Sequence, residues 1–194
     1  IITGSNYSTE VCREPLPWGG YLGIDTTLFN DIWSRHGSGN LKNLEIIDII
    51  KYKIIYKFLG INTHYPLNYV PFLKEKAEQK LNTLYGWKPF KHKHHESRFT
   101  RFFEDFWLPR RFGFDKRRAH FSSLIMTGQM NREDAIKRIA LPEMSEEFLN
   151  KEFKYVANKL DLEEKELNDL FNLPKRTYRN YKNKEPIIKL GAKI

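Results

Sequence analysis

Cysteine is almost missing from this chain. Cys12 is the only one in 194 residues, which excludes an internal disulfide and any multi-cysteine metal site. A cytoplasmic setting is the expectation. No apolar run reaches the length of a membrane span, and no signal-peptide pattern is present, so no membrane partner is expected. There is no internal repeat and no low-complexity tract. The chain opens Ile1-Ile2-Thr3 without methionine, as if inside a strand, and is read as a piece of a longer protein. Acids are also short, 24 against 33 Lys and Arg, for a net charge of +9. With 40% hydrophobic residues the chain is globular in composition, so the excess charge belongs to a folded surface rather than a disordered tail.

What is present is unevenly spread. From Lys88 to Arg118 there are ten Lys/Arg and four acids, a net of +6, and from Lys175 to Lys193 seven Lys/Arg and one acid, again +6. The rest of the chain is therefore about −3, and the two basic segments call for an anionic partner or wide exposure. In the first, Phe99, Phe102, Phe103, Phe106 and Trp107 fall at helical spacing and predict one buried stripe, with His94, Arg98, Arg101 and Asp105 on another face. A packed helix with cations on a fixed face can hold phosphates in register. The cluster His92, Lys93, His94, His95 leaves three readings open. Adjacent histidines on a helix diverge and share a metal poorly, and no ligand-spaced pair supports them, so no metal is assigned. They can be ordinary surface histidines of a basic loop. They can also serve a polyanion or nucleotide site, with Lys93 and Arg98 as phosphate donors and a histidine positioning or transferring a proton. Nothing near Cys12 in sequence lowers its pKa, which argues against a nucleophile there.

Taken in order, Ile1–Asn6 reads as a short buried strand running into a glycine turn, with a helix start near Ser8–Glu10. Such a turn presents free backbone N–H groups where α/β sheets bind ligands. A long loop follows from Pro15 to Asn40, with one short helix near Leu28–Trp33. Trp18 and Asp25 there suit a structural role better than substrate contact. Leu41–Gly60 is helix-like, with a strand as the alternative. Val70–Gly86 predicts a helix with Pro71 in its first turn, Leu73, Ala77, Leu81 and Leu84 as its packed face, and Gly86 as its stop. Pro109 is expected to end the next helix, and Asp115 to cap the one after it. Asn131, Ser145 and Glu163 start three more; Leu149, Glu152, Phe153 and Val156 share the inner spacing of the second.

Gly86-Trp87, Lys93-His94-His95-Glu96-Ser97-Arg98-Phe99-Thr100, Leu108-Pro109, Phe112-Gly113-Phe114-Asp115-Lys116-Arg117-Arg118-Ala119-His120 and Gly128-Gln129 together resemble the N-acetyl sugar amidotransferases. These are pyrophosphate-loop (PP-loop) ATPases of bacterial surface-sugar biosynthesis. The likeness is dense over about residues 86–140 and thin elsewhere. Thr3-Gly4-Ser5-Asn6 with Glu10 is similar to the Gly-x-Asn…Glu turn of related PP-loop enzymes. The family's Ser-Gly-Gly-x-Asp-Ser loop is absent from this sequence. The resemblance therefore implies an α/β fragment, mostly α-helical: residues 1–87 as the remnant of the PP-loop (adenine nucleotide alpha hydrolase-like) domain, and 88–194 as a basic motif and helical extension.

The resemblance also implies a reaction. An acetamido group on a nucleotide-activated sugar becomes an acetamidino group. The amide carbon is a poor electrophile until its oxygen carries AMP from ATP, with Mg2+; ammonia then attacks and AMP leaves. Ammonia from a glutaminase subunit, through a cyclase-like channel subunit, requires water to be excluded. Expected destinations are lipopolysaccharide, flagellin glycan or pseudaminic acid biosynthesis, and the fragment alone is expected to be inactive. The implied catalytic residues are Lys93, His94, His95, Lys116 and Arg117. Gly4, Ser5, Asn6 and Glu10 would bind ATP, and Glu96, Arg98, Thr100, Arg118 and His120 the sugar nucleotide. Two other classes stay open. Val156–Tyr181 has the rhythm of a helix-turn-helix with a basic second element, as in a nucleic-acid-binding protein. A tRNA-modifying PP-loop enzyme would keep the ATP chemistry and exchange the sugar for RNA.

Overall fold

The structure, a computed structural model, describes residues 1–15, 18, 21, 25–40, 44–90 and 96–191, without the side chains of Ile50 and Lys57. It is mostly helical. The helices are α1 Tyr7–Glu10, α2 Thr26–His36, α3 Ile49–Phe58, α4 Lys74–Tyr85, α5 Arg98–Phe102, α6 Arg117–Met126, α7 Arg132–Ala140, α8 Glu146–Lys159, α9 Glu164–Asn172 and α10 Glu185–Gly191. Phe103–Phe112 is a π-helix continuing α5, and Pro66–Asn68 and Tyr178–Asn180 are single 3-10 turns. Among the described residues the only extended pairing is one parallel bridge, Ile2 to His64. Ile1 and Ile2 are 60% and 80% exposed, so the buried strand expected there is an exposed bridge.

Two compact units interleave in sequence. One comprises Ile1–Ile2, Leu16–His64 and Lys175–Ile194; the other comprises Thr3–Pro15 and Tyr65–Pro174. The expected division at residue 87 falls inside the second.

The second unit holds the apolar core. Phe102, Phe106, Met144, Leu149, Val156, Ala157 and Leu167 are buried together, bringing α5, the π-helix, α8 and α9 onto one another. Phe121, Leu124 and Ala135 form a smaller cluster between α6 and α7. The helix starts follow from their caps. Asn131 accepts from the Asp134 N–H and Ser145 from the Phe148 N–H, each satisfying an otherwise orphaned amide. Gly86 ends α4 with φ 65° and Gly113 ends the π-helix with φ 76°, a region open to glycine at no steric cost.

Three expectations need correction in this unit. Pro109 does not end a helix; it lies inside the π-helix. In an α-helix the proline ring would crowd the Asp105 carbonyl and deny it a donor. In the π ladder the carbonyl left without the Pro109 donor is that of Glu104, five residues back, rather than that of Asp105. The phenylalanine stripe is divided: Phe102 and Phe106 are buried, while Phe99 and Phe103 are 52% and 38% exposed and stack on each other at 6.2 Å. The expected packed face of α4 is also open, since α4 buries no residue and Leu73, Leu81 and Leu84 are exposed. Its first residue is Lys74, so Pro71 precedes the helix.

The first unit is organised by polar contacts. Asp25, 3% exposed, caps α2 by accepting from the Thr27 and Leu28 amides, and also accepts from the Tyr21 hydroxyl and the Lys184 amide. Asp31 accepts from the Lys182 amide, and Asp48 pairs with the Lys184 ammonium. The basic C-terminal segment is thus stitched to three aspartates. Burial opposes the charge on Asp25, but the Lys184 amide, Tyr21 and the two helix amides outweigh it and hold its pKa below the ordinary value.

Candidate functional site

The second unit contains every described candidate site residue, and three ionic clusters set their geometry. The first is centred on Glu152 of α8, 2% exposed. Its carboxylate accepts two bonds from Arg98, Nη2 at 2.7 Å and Nε at 3.2 Å, and pairs with Arg101 at 3.1 Å. The Arg98 guanidinium lies over the Tyr155 ring at 3.3 Å and that of Arg101 over Phe148 at 4.7 Å. Burial would raise the Glu152 pKa, but the two arginines outweigh it and hold it low.

The second cluster is Lys116, which reaches Glu14 and Glu104, each at 3.1 Å. Burial works against its ammonium, and the two carboxylates more than offset it, so its pKa is raised.

The third is Arg117. It meets both oxygens of Asp115, the Glu143 carboxylate at 2.8 Å and the Arg138, Ile139 and Leu141 carbonyls. Asp115 above all, then Glu143, raise its pKa against the cost of desolvation. The carbonyls belong to the C-terminal end of α7 and the residue after it, where a cation is favoured. Every N–H direction of this guanidinium is used within the protein, a set of partners the sequence did not reveal.

Arg118, one residue on, is exposed and meets no carboxylate among the described residues. His120 is half-buried on α6, its ring 5.9 Å from that of Phe121. Thr100 donates to the Ser97 hydroxyl that caps α5, and Glu96 is exposed just before that cap. Lys93, His94 and His95 lie outside the described residues, as do Lys91 and His92.

Asn6 caps α1 by accepting from the Thr9 amide at 3.0 Å, and its Nδ2 donates to the Gly4 carbonyl. Ser5 and Glu10 are exposed. A side chain at Gly4 would meet nothing within 4 Å. The turn therefore shows no cradle that only glycine could form, and its asparagine is already engaged. Among the described residues no group of three or more His, Cys, Asp or Glu is placed to hold a metal. The described residues do not by themselves complete an ATP site.

The fold does bring the two motif regions together. Ser8 presents its carbonyl to Thr127 Oγ1 and Gln129 Nε2, each at 2.8 Å. The turn at residues 3–15 thus sits on the end of α6, the helix that opens with Arg117 and Arg118. A cleft of about 140 Å³ at the other, Arg117 end of α6 includes Asp105, Asp115 and Glu143 with Arg110 and Arg117 in its lining. Three carboxylates against two guanidiniums do not suit a polyanion.

Glu152, Glu143, Tyr155 and Lys159 were not singled out from the sequence as site residues. Glu152 carried a signal, an acid at a core position of the α8 stripe, where an unpaired carboxylate is not tolerated. Within the Val156–Tyr181 span of the helix-turn-helix reading, α9 carries Glu164, Glu166 and Asp169 against Lys165, and the basic residues after Pro174 contain one 3-10 turn, Tyr178–Asn180, and belong to the other unit. No helix among the described residues is long and apolar enough to cross a membrane.

Together these features define a helix-rich module whose basic motifs are set by buried and half-buried carboxylates. Residues 96–194 match the family described as LPS biosynthesis protein WbpG-like, C-terminal domain. The match spans just over half of the chain, which belongs to that family of lipopolysaccharide biosynthesis proteins. No curated protein and no solved structure matches the chain.

Proposed function

We propose that the chain is the C-terminal part of an ATP-dependent amidotransferase that turns the acetamido group of a nucleotide-activated sugar into an acetamidino group. The observation that carries this reading is the family match beginning at Glu96, which takes in Ser97-Arg98-Phe99-Thr100 and Asp115-Lys116-Arg117-Arg118. ATP, as co-substrate with Mg2+, supplies activation of the amide oxygen; ammonia from a glutaminase subunit, delivered through a channel subunit, replaces it. Lys93 and Arg118 contact phosphates, and His94 or His95 positions the amide or moves its proton. Lys116 and Arg117, each already ion-paired, hold the motif in shape, and Arg98 presents its outer edge to substrate. Gly4, Ser5, Asn6 and Glu10 contribute one wall of the nucleotide site, completed by a PP-loop elsewhere in the protein.

The test is a steady-state assay of the full-length enzyme with ATP, an acetamido sugar nucleotide and ammonium in excess, reading AMP release and amidine formation. Lys93→Met is expected to slow turnover by about 10–100-fold with an unchanged melting curve. Wild-type turnover in that variant would remove Lys93 from the site. Rescue by ammonium would move its role to ammonia delivery.

A further inference from the structure

The Glu152 cluster carries more positive charge than its own pairing needs. One buried carboxylate serves two guanidiniums, and it is oversubscribed: Oε2 takes both Arg98 Nε and Arg101 Nη2, while Arg101 Nε is buried without a hydrogen-bond partner. The surplus lies at the surface. Arg98 turns Nε and Nη2 inward to Glu152 and keeps a side chain 45% exposed. A second cation stands at the same ring, Lys159 Nζ being 5.7 Å from the Tyr155 centroid. Lys159 is exposed and pairs with no carboxylate among the described residues.

We infer that Arg98, Tyr155 and Lys159 form a diphosphate-binding site on the face shared by α5 and α8. Glu152 fixes the guanidinium plane, Tyr155 stacks beneath it, and the exposed edge is left as a planar fork for phosphate oxygens. Lys159 is a mobile point charge that closes on the second phosphate. Both cations stand at the Tyr155 ring, 3.3 and 5.7 Å from its centroid, where a dianion meets two charges instead of one. The site takes its ligand class from the proposed function, where a diphosphate occurs twice, in the sugar nucleotide and in the pyrophosphate that leaves ATP.

The experiment is calorimetric titration of the whole chain at low ionic strength with inorganic pyrophosphate and, separately, with uridine diphosphate. Wild-type protein binds, and Lys159→Met weakens binding about tenfold with an unchanged melting curve. Arg98→Lys, which keeps a charge beside Glu152 but loses the fork, weakens binding at least as much and melts lower, because the buried carboxylate loses its bidentate partner. Lys151→Met, which removes the same charge elsewhere on α8, changes affinity less than about twofold, because it lacks the ring and the fixed arginine. Tighter binding of uridine diphosphate assigns the site to the sugar nucleotide; tighter binding of pyrophosphate assigns it to the leaving group. Equal losses in Lys151→Met and Lys159→Met would reduce the effect to diffuse charge and overturn the site. So would a wild-type chain that binds neither probe. The titration reads binding without turnover. A full-length enzyme that makes no amidine, while Lys159 still governs diphosphate binding, would refute the proposed reaction and leave this site standing.

Discussion

Ser123 accepts the Cys12 amide at 3.0 Å across 111 positions of sequence. The hydroxyl, 1% exposed, donates in turn to the Ala119 carbonyl. Together with Thr127 and Gln129 at Ser8 and Lys116 at Glu14, this side chain pins the residue 3–15 segment to α6. Ser123→Ala is expected to cost about 1 kcal/mol in urea unfolding and to speed hydrogen exchange at the Cys12 amide selectively. Uniform exchange changes throughout the second unit would instead make Ser123 an ordinary core residue.

The divided phenylalanine stripe predicts a contrast. Phe102→Ala removes a ring in contact with Phe106, Trp107 and Phe153 and is expected to cost about 3–5 kcal/mol. Phe99→Ala, at a position more than half exposed, is expected to cost less than about 1 kcal/mol. Denaturant midpoints of the two variants decide it. Similar losses would mean that Phe99 is covered in solution.

Removing Glu152 leaves two arginines facing each other without a counter-charge. Glu152→Ala is expected to destabilise the second unit by about 3–5 kcal/mol at neutral pH. The pH dependence has a definite sign. The folded pKa of Glu152 lies below its ordinary value of 4.5, so its contribution is fully present above that value and fades as pH falls through the lower folded one. The stability gap between wild type and variant should therefore narrow under acid. A gap that is constant down to pH 2 would show that packing, not charge, is lost.

Asp25 makes the same kind of prediction for the first unit. Its carboxyl, held below the ordinary 3.8, stabilises above that value and ceases to as pH falls through its folded pKa. Asp25→Asn keeps the cap oxygen but loses the charge that Tyr21 and the Lys184 amide bond. Faster tryptic cleavage at Arg176 and Arg179 is the expected readout. Unchanged cleavage would mean that Asp31 and Asp48 suffice to hold the segment.

The local signals in the sequence were legible where the chemistry is local. Asn131 and Ser145 cap α7 and α8 as their spacing predicts, and Gly86 stops α4. Charge was not legible in the same way, because ion pairs are made across the sequence. Lys88–Arg118 is strongly basic when counted along the chain, yet Glu14, Glu143, Glu146 and Glu152 from outside it pair with Lys116, Arg117, Arg110 and Arg98. The π-helix was illegible for a related reason: Pro109 signals a helix end in any reading that knows only the α ladder. The first unit, by contrast, holds twelve Lys/Arg against five acids, a net of +7, and the second only +2. Four of those five acids, Asp25, Asp31, Asp48 and Glu185, are engaged by Lys184, Arg35, Lys182, Arg179 and Lys189.

The interleaving of the two units sets an order of events during synthesis. The second unit has all of its residues once Pro174 has emerged, whereas the first still waits for 175–191. Until then Asp25 and Asp48 lack their Lys184 partners, and α2 and α3 stand with little apolar burial of their own. Closing the first unit requires a loop of well over a hundred residues, an entropic cost that rises only slowly with length but delays the event.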